Sequence, residues 1–113
     1  MIEIKYHKDV LSFLDELIDI LIEKEYFSFY EYSAQYIEDL VLHVKRNIAL
    51  LNHRKAPIYF SKYADHLFYI TYQRSKRTTW YILFQKTGQC YFIRHITNNH
   101  TAESQYFNFQ INS

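Results

Sequence analysis

The sequence predicts an α+β fold of order β-α-α-β-β-β, with a helical hairpin packed on one face of an antiparallel sheet. Three observations carry this. Apolar residues recur at helical spacing twice in the first half of the chain. After Pro57 the chain turns to segments rich in Tyr, Phe, Ile and Thr, separated by short polar connections. Gly88 and Pro57 are the only residues of their kinds, where average usage gives roughly 8 Gly and 6 Pro. Long elements with few breaks follow from that scarcity. A glycine-rich phosphate loop is excluded, because two glycines are needed to build one. The 113 residues make one domain, residues 1–113, large enough to bury about two-thirds of the unfolded surface around one core.

The elements follow in order. Ile2-Glu3-Ile4-Lys5-Tyr6 alternates apolar and polar, as a half-buried strand does. Val10, Leu14, Leu17, Ile18 and Leu21 then share one helical face, with Asp15, Glu16, Asp19 and Glu23 on the others, giving a helix over roughly 9–26 with Asp9 as N-cap. Ser28-Phe29-Tyr30-Glu31 has the form of a capping box. Ile37, Leu40, Val41, Val44, Ile48 and Leu51 continue a second helix to near Asn52, before the break at Pro57. A short link makes the two helices antiparallel neighbours. Ile58-Tyr59-Phe60 reads as a short edge segment. Leu67–Gln73, Thr79–Gln85 and Cys90–Thr97 read as a three-strand meander. The tail from Ala102 to Ser113 suits either a short helix or an added strand.

The formal net charge of +1 hides a split. Residues 1–40 hold ten acids and three bases, whereas residues 41–113 hold ten bases and two acids, Asp65 and Glu103. The basic part suggests a surface for nucleic acid or an acidic protein; mutual neutralisation of the two parts across the fold is the alternative. The twelve Tyr and nine Phe fall on both sides of the predicted strands. A sheet face turned away from the helices would then present rings beside Arg and Lys, which is how single-stranded nucleic acid is held. Core rings with hydroxyls reaching the surface are the other reading.

Arg74, Lys76 and Arg77 crowd one predicted turn. Arg94 lies mid-strand between Ile93 and Ile96, where a charge is expensive unless it is paired or serves a site. Strict alternation sends Arg94 and its neighbour His95 to opposite faces, with His95 suited to a satisfied core position. His7, His43, His53, His66, His95 and His100 show no metal-ligand spacing, so no metal and no cofactor are expected. Cys90 is alone and lies in an apolar run, which points to a reducing compartment. The N-terminus has no signal-peptide pattern, and no stretch approaches the ~20 apolar residues of a membrane span. A cytoplasmic protein with no membrane partner is expected.

The element order, the size and the stretches Thr79-Trp80-Tyr81-Ile82-Leu83-Phe84 and Tyr91-Phe92-Ile93-Arg94-His95-Ile96-Thr97-Asn98-Asn99-His100 resemble the RelE/ParE superfamily of bacterial toxins from toxin–antitoxin pairs. The resemblance implies a cognate antitoxin as partner and one of two targets. RelE-like members cleave mRNA on the ribosome, with basic residues and a C-terminal Tyr or His promoting attack of a 2′-OH on the adjacent phosphate. ParE-like members inhibit DNA gyrase without that residue set. A plain RNA- or protein-binding module of the same fold is a third possibility. Carried onto this chain, the resemblance implies Arg94 as the group that stabilises charge on phosphorus. His100 or Tyr106 is then the acid/base group. The arginine of the family's middle strand is replaced here by Trp80 or Tyr81, and Arg77 is placed to substitute from the turn. Lys62, Arg74 and Lys76 are the expected nucleic-acid-binding residues. The long helical hairpin is the more ParE-like feature.

Overall fold

The computed structural model describes residues 1–23 and 30–111. It is α+β, with three helices and a five-stranded mixed sheet. In chain order the elements are β1 (Glu3–Tyr6), α1 (Lys8–Glu23), α2 (Tyr30–Asn47), β2 (Arg54–Lys55), β3 (Phe68–Gln73), β4 (Thr79–Thr87), β5 (Cys90–Asn98) and α3 (Gln105–Ile111). Short 3₁₀ segments occupy Ile58–Lys62 and Ala102–Ser104. Among the described residues no helix is long and apolar enough to cross a membrane.

The sheet order is β1-β5-β4-β3-β2. β3, β4 and β5 form the expected antiparallel meander, but β1 runs parallel to β5. The sheet is therefore mixed rather than antiparallel. The parallel pairing follows from the helical crossover that separates β1 from the meander. The link between β4 and β5 is shorter than the four residues expected, because Thr87 pairs directly with Cys90. Gly88 takes the first central position of that two-residue turn with φ of +60°, the left-handed region that side chains disfavour. An added Cβ would meet nothing within 4 Å, so Gly88→Ala is expected to cost only the backbone term, about 1 kcal/mol, measurable by urea unfolding.

α1 starts one residue earlier than Asp9. The His7 imidazole Nδ1 accepts the Asp9 backbone N–H at 3.1 Å, so His7 rather than Asp9 caps the helix. The expected capping residue Ser28 lies outside the described residues. α2 ends at Asn47, short of Asn52. The Asn47 side-chain amide folds back to donate to the His43 carbonyl at 2.9 Å, one turn earlier.

Val10, Leu14, Leu17 and Leu21 of α1 and Leu40 and Val44 of α2 bury one face of the sheet, against Ile70, Trp80, Ile82, Phe84 and Ile93. The opposite face is covered too. Ile58–Phe60 is not an edge segment; after Pro57 it coils into 3₁₀ and drops Phe60 onto Tyr69 and Leu83. The tail resolves into α3, and Phe107 lies flat on Tyr81 at 3.9 Å and 6°. The exposed ring platform is thus absent. The rings of that face are a second core, because two short segments close over them.

One irregularity positions the site. Leu83 pairs with His95 while Phe84 pairs with Ile93, so Arg94 is an extra residue on β5, a β-bulge. Alternation breaks there. Arg94 and His95 both project to the second face, where Arg94 reaches the Tyr63 carbonyl and His95 stacks on the Tyr63 ring. The expectation of opposite faces fails for that reason.

Candidate active site at the open edge of the last strand

β1 pairs only with the first part of β5, and its register ends at Tyr6 opposite Ile93. The chain then turns into α1, while β5 runs on to Asn98. The step leaves a cleft of about 790 Å³ along the β5 edge, between α1 and the 98–103 loop. Its size is that of a small-ligand site.

Arg94, His95, Glu103 and Tyr63 meet at one end of this cleft. The Arg94 Nη2 donates to the Tyr63 carbonyl at 3.0 Å. Its Nε is buried and has no partner, and among the described residues no carboxylate lies within ion-pair distance of the guanidinium. The His95 Nε2 lies 2.7 Å from the Glu103 Oε1. A carboxylate only accepts, so Nε2 carries the hydrogen, and in the neutral ring Nδ1 keeps a lone pair. The Tyr63 hydroxyl donates to the other carboxylate oxygen at 3.0 Å, and its ring stacks on His95 at 3.9 Å. Tyr63 therefore ties guanidinium, imidazole and carboxylate together through three different parts of one residue.

Burial raises the Glu103 pKa, but hydrogen bonds from His95, Thr97 and Tyr63 and the His95 charge outweigh it and hold the group below its ordinary value. Burial, with help from the Glu103 hydrogen bond and charge, pushes the Tyr63 hydroxyl up to about 12. Tyr63 thus stays a donor at neutral pH. A carboxyl depressed on folding stabilises above its unfolded pKa, and that contribution is lost as pH falls through its folded pKa. Glu103→Gln is accordingly expected to lower stability by about 1–3 kcal/mol at neutral pH and to flatten the loss of stability as the pH falls through and below the ordinary glutamate range. Melting temperatures of both proteins across pH 3–7 check this.

The residues expected from sequence divide. Arg94 and His100 line the cleft, with the His100 Nε2 at 3.0 Å from the Thr78 hydroxyl. Arg74 lines it too, 3.6 Å from Asp39 and over the Tyr36 ring at 4.8 Å. Arg77 and Lys76 are exposed in the β3–β4 turn and do not line the cleft. Lys62 donates to the Tyr59 hydroxyl at 2.6 Å, and Tyr106 stacks on the same Tyr59 ring at 4.0 Å; both lie away from the cleft lining. From the sequence His95 reads as a core histidine, and Glu103 and Tyr63 are not singled out as site residues. The signal for Glu103 was its isolation as an acid in a strongly basic stretch.

The arrangement offers a hydrogen-bonded imidazole–carboxylate pair for proton transfer and a guanidinium with spare donors for an anion. Comparison with protein-family models, curated proteins and solved structures returns no match.

Proposed function

We propose that the chain is a RelE/ParE-like toxin of a toxin–antitoxin pair, acting in the bacterial cytoplasm as a ribosome-dependent mRNA endonuclease. The observation that carries this reading is Arg94, with unused donors, beside the His95–Glu103 pair in one cleft. The His95 Nδ1 takes the proton of the 2′-OH, and the imidazolium so formed is held by Glu103. The 2′-oxygen bonds to phosphorus and the bond from phosphorus to the 5′-oxygen breaks. A 2′,3′-cyclic phosphate and a 5′-hydroxyl result, with His100 delivering the proton to the leaving oxygen. Arg94 carries the charge that builds on the phosphoryl oxygens. Relative to the sequence expectation, His95 replaces Tyr106 as proton-transfer group, and Arg74 rather than Arg77 is the second cation.

Expression in a host without the antitoxin tests the reading: growth arrest with cut transcripts is expected. Arrest with intact transcripts and relaxed DNA would favour the gyrase-inhibitor reading instead, which the missing middle-strand arginine at Trp80 or Tyr81 supports.

A further inference from the structure

The proton-transfer groups occupy only one end of the cleft. The other end is apolar: Phe13, Leu17, Ile20 and Leu21 of α1 face Trp80 and Tyr36. The exposures are graded. Leu17, Leu21 and Trp80 are nearly closed off at 4%, 8% and 2%, whereas Phe13, Ile20 and Tyr36 are half-buried and remain open to the cleft. The lobe is ringed by aromatic edges, Phe13 and Tyr36 each meeting Trp80 at 6.3 Å. Between the lobe and Arg94 runs the stretch of β5 beyond Ile93, which has no strand partner on that side among the described residues. At the mouth stand the cations Arg94 and Arg74 and the His100 imidazole. Of the acids there, Glu103 is engaged by His95 and Asp9 faces His7 at 3.6 Å; Asp39 pairs with Arg74 at 3.6 Å, which leaves Arg94 as the cation without a carboxylate partner among the described residues.

We infer that the apolar lobe is a subsite for one unpaired nucleobase, held next to the phosphate that Arg94 binds. This rests on the proposed RNA cleavage and deepens it. A flat ring with a polar rim fits an apolar slot beside a strand edge without a partner, and an anion one sugar away fits the Arg94 guanidinium. A base paired in a duplex cannot enter, so the site selects single-stranded RNA. Stacking on aromatic side chains discriminates poorly between bases, so the preference is for an unstacked base rather than a particular sequence.

Trp80 is the only tryptophan, and it reports directly on the lobe. The test uses an RNA oligonucleotide long enough to form a stable duplex and blocked against cleavage by 2′-deoxy sugars, its counterpart with an abasic sugar beside the same phosphate, and the blocked strand annealed to a complement. Calorimetry gives the affinities and Trp80 emission gives the location. The base-bearing single strand is expected to bind roughly tenfold or more tighter than the abasic and duplex probes, with a change in Trp80 emission from it alone. Phe13→Ala and Ile20→Phe, which open and fill the lobe, are each expected to erase that preference while abasic binding persists. Equal affinities for the three probes, or a preference untouched by both variants, would overturn the subsite. A free 3′-nucleotide that binds as tightly as the strand would overturn the assignment to RNA. Cleavage of unblocked RNA is scored separately. Cleavage without base preference removes the subsite and keeps the nuclease, whereas base preference without cleavage does the reverse.

Discussion

Arg94→Ala is expected to lower RNA cleavage by about 10²–10³-fold, the usual cost of removing one preorganised donor from a developing oxyanion. Stability should change far less. The side chain donates one hydrogen bond, to the Tyr63 carbonyl, and lies over the Phe92 ring at 5.1 Å, contacts worth about 1 kcal/mol each. Arg94→Lys separates two roles. A lysine supplies charge but cannot hold the Tyr63 carbonyl and a phosphate with one planar fork, so partial activity is expected. Cleavage rates on translated transcripts, with melting temperatures in parallel, check both. Full activity in Arg94→Ala would remove the guanidinium from the site.

Phe107→Ala is expected to cost about 3–5 kcal/mol, as for a large buried aromatic. Phe107 is 2% exposed and touches Phe60, Tyr69 and Tyr81 at ring distances of 4.7, 4.9 and 3.9 Å. It is the pin that holds α3 to the second face. The 3₁₀ segment just before α3 carries Glu103, so loosening the pin also frees the carboxylate from His95. Urea unfolding should show the lost stability, and cleavage should fall with it. A cost below about 1 kcal/mol would mean that α3 does not close the second core.

Most of the element order was legible, because helical and strand periodicities are local properties of the chain. Val10, Leu14, Leu17 and Leu21 line the core face of α1 as their spacing requires. What escaped were features set by tertiary closure. Tyr69 and Tyr81 read as core residues before surface ones, yet a platform stayed open, and only the return of Phe60 and Phe107 decides between them. The parallel pairing of β1 depends on where the crossover lands rather than on any residue within β1. The site was half legible. Arg94 stood out as a charge amid apolar neighbours, yet its direction is fixed by a bulge that alternation cannot foresee. His95 was discounted for the same reason, since one slipped residue moves it from a core position to the cleft. Glu103 and Tyr63 come from segments 40 residues apart, and no local pattern announces such a meeting.

The central claim is that Arg94 and His95 act together on one phosphate. Mapping the ends of transcripts cut on translating ribosomes tests it most directly, using wild type, Arg94→Ala and His95→Ala. The account predicts 2′,3′-cyclic phosphate and 5′-hydroxyl ends with the wild type, and loss of those ends in both variants while each remains folded. Undiminished cleavage in the two folded variants would contradict it.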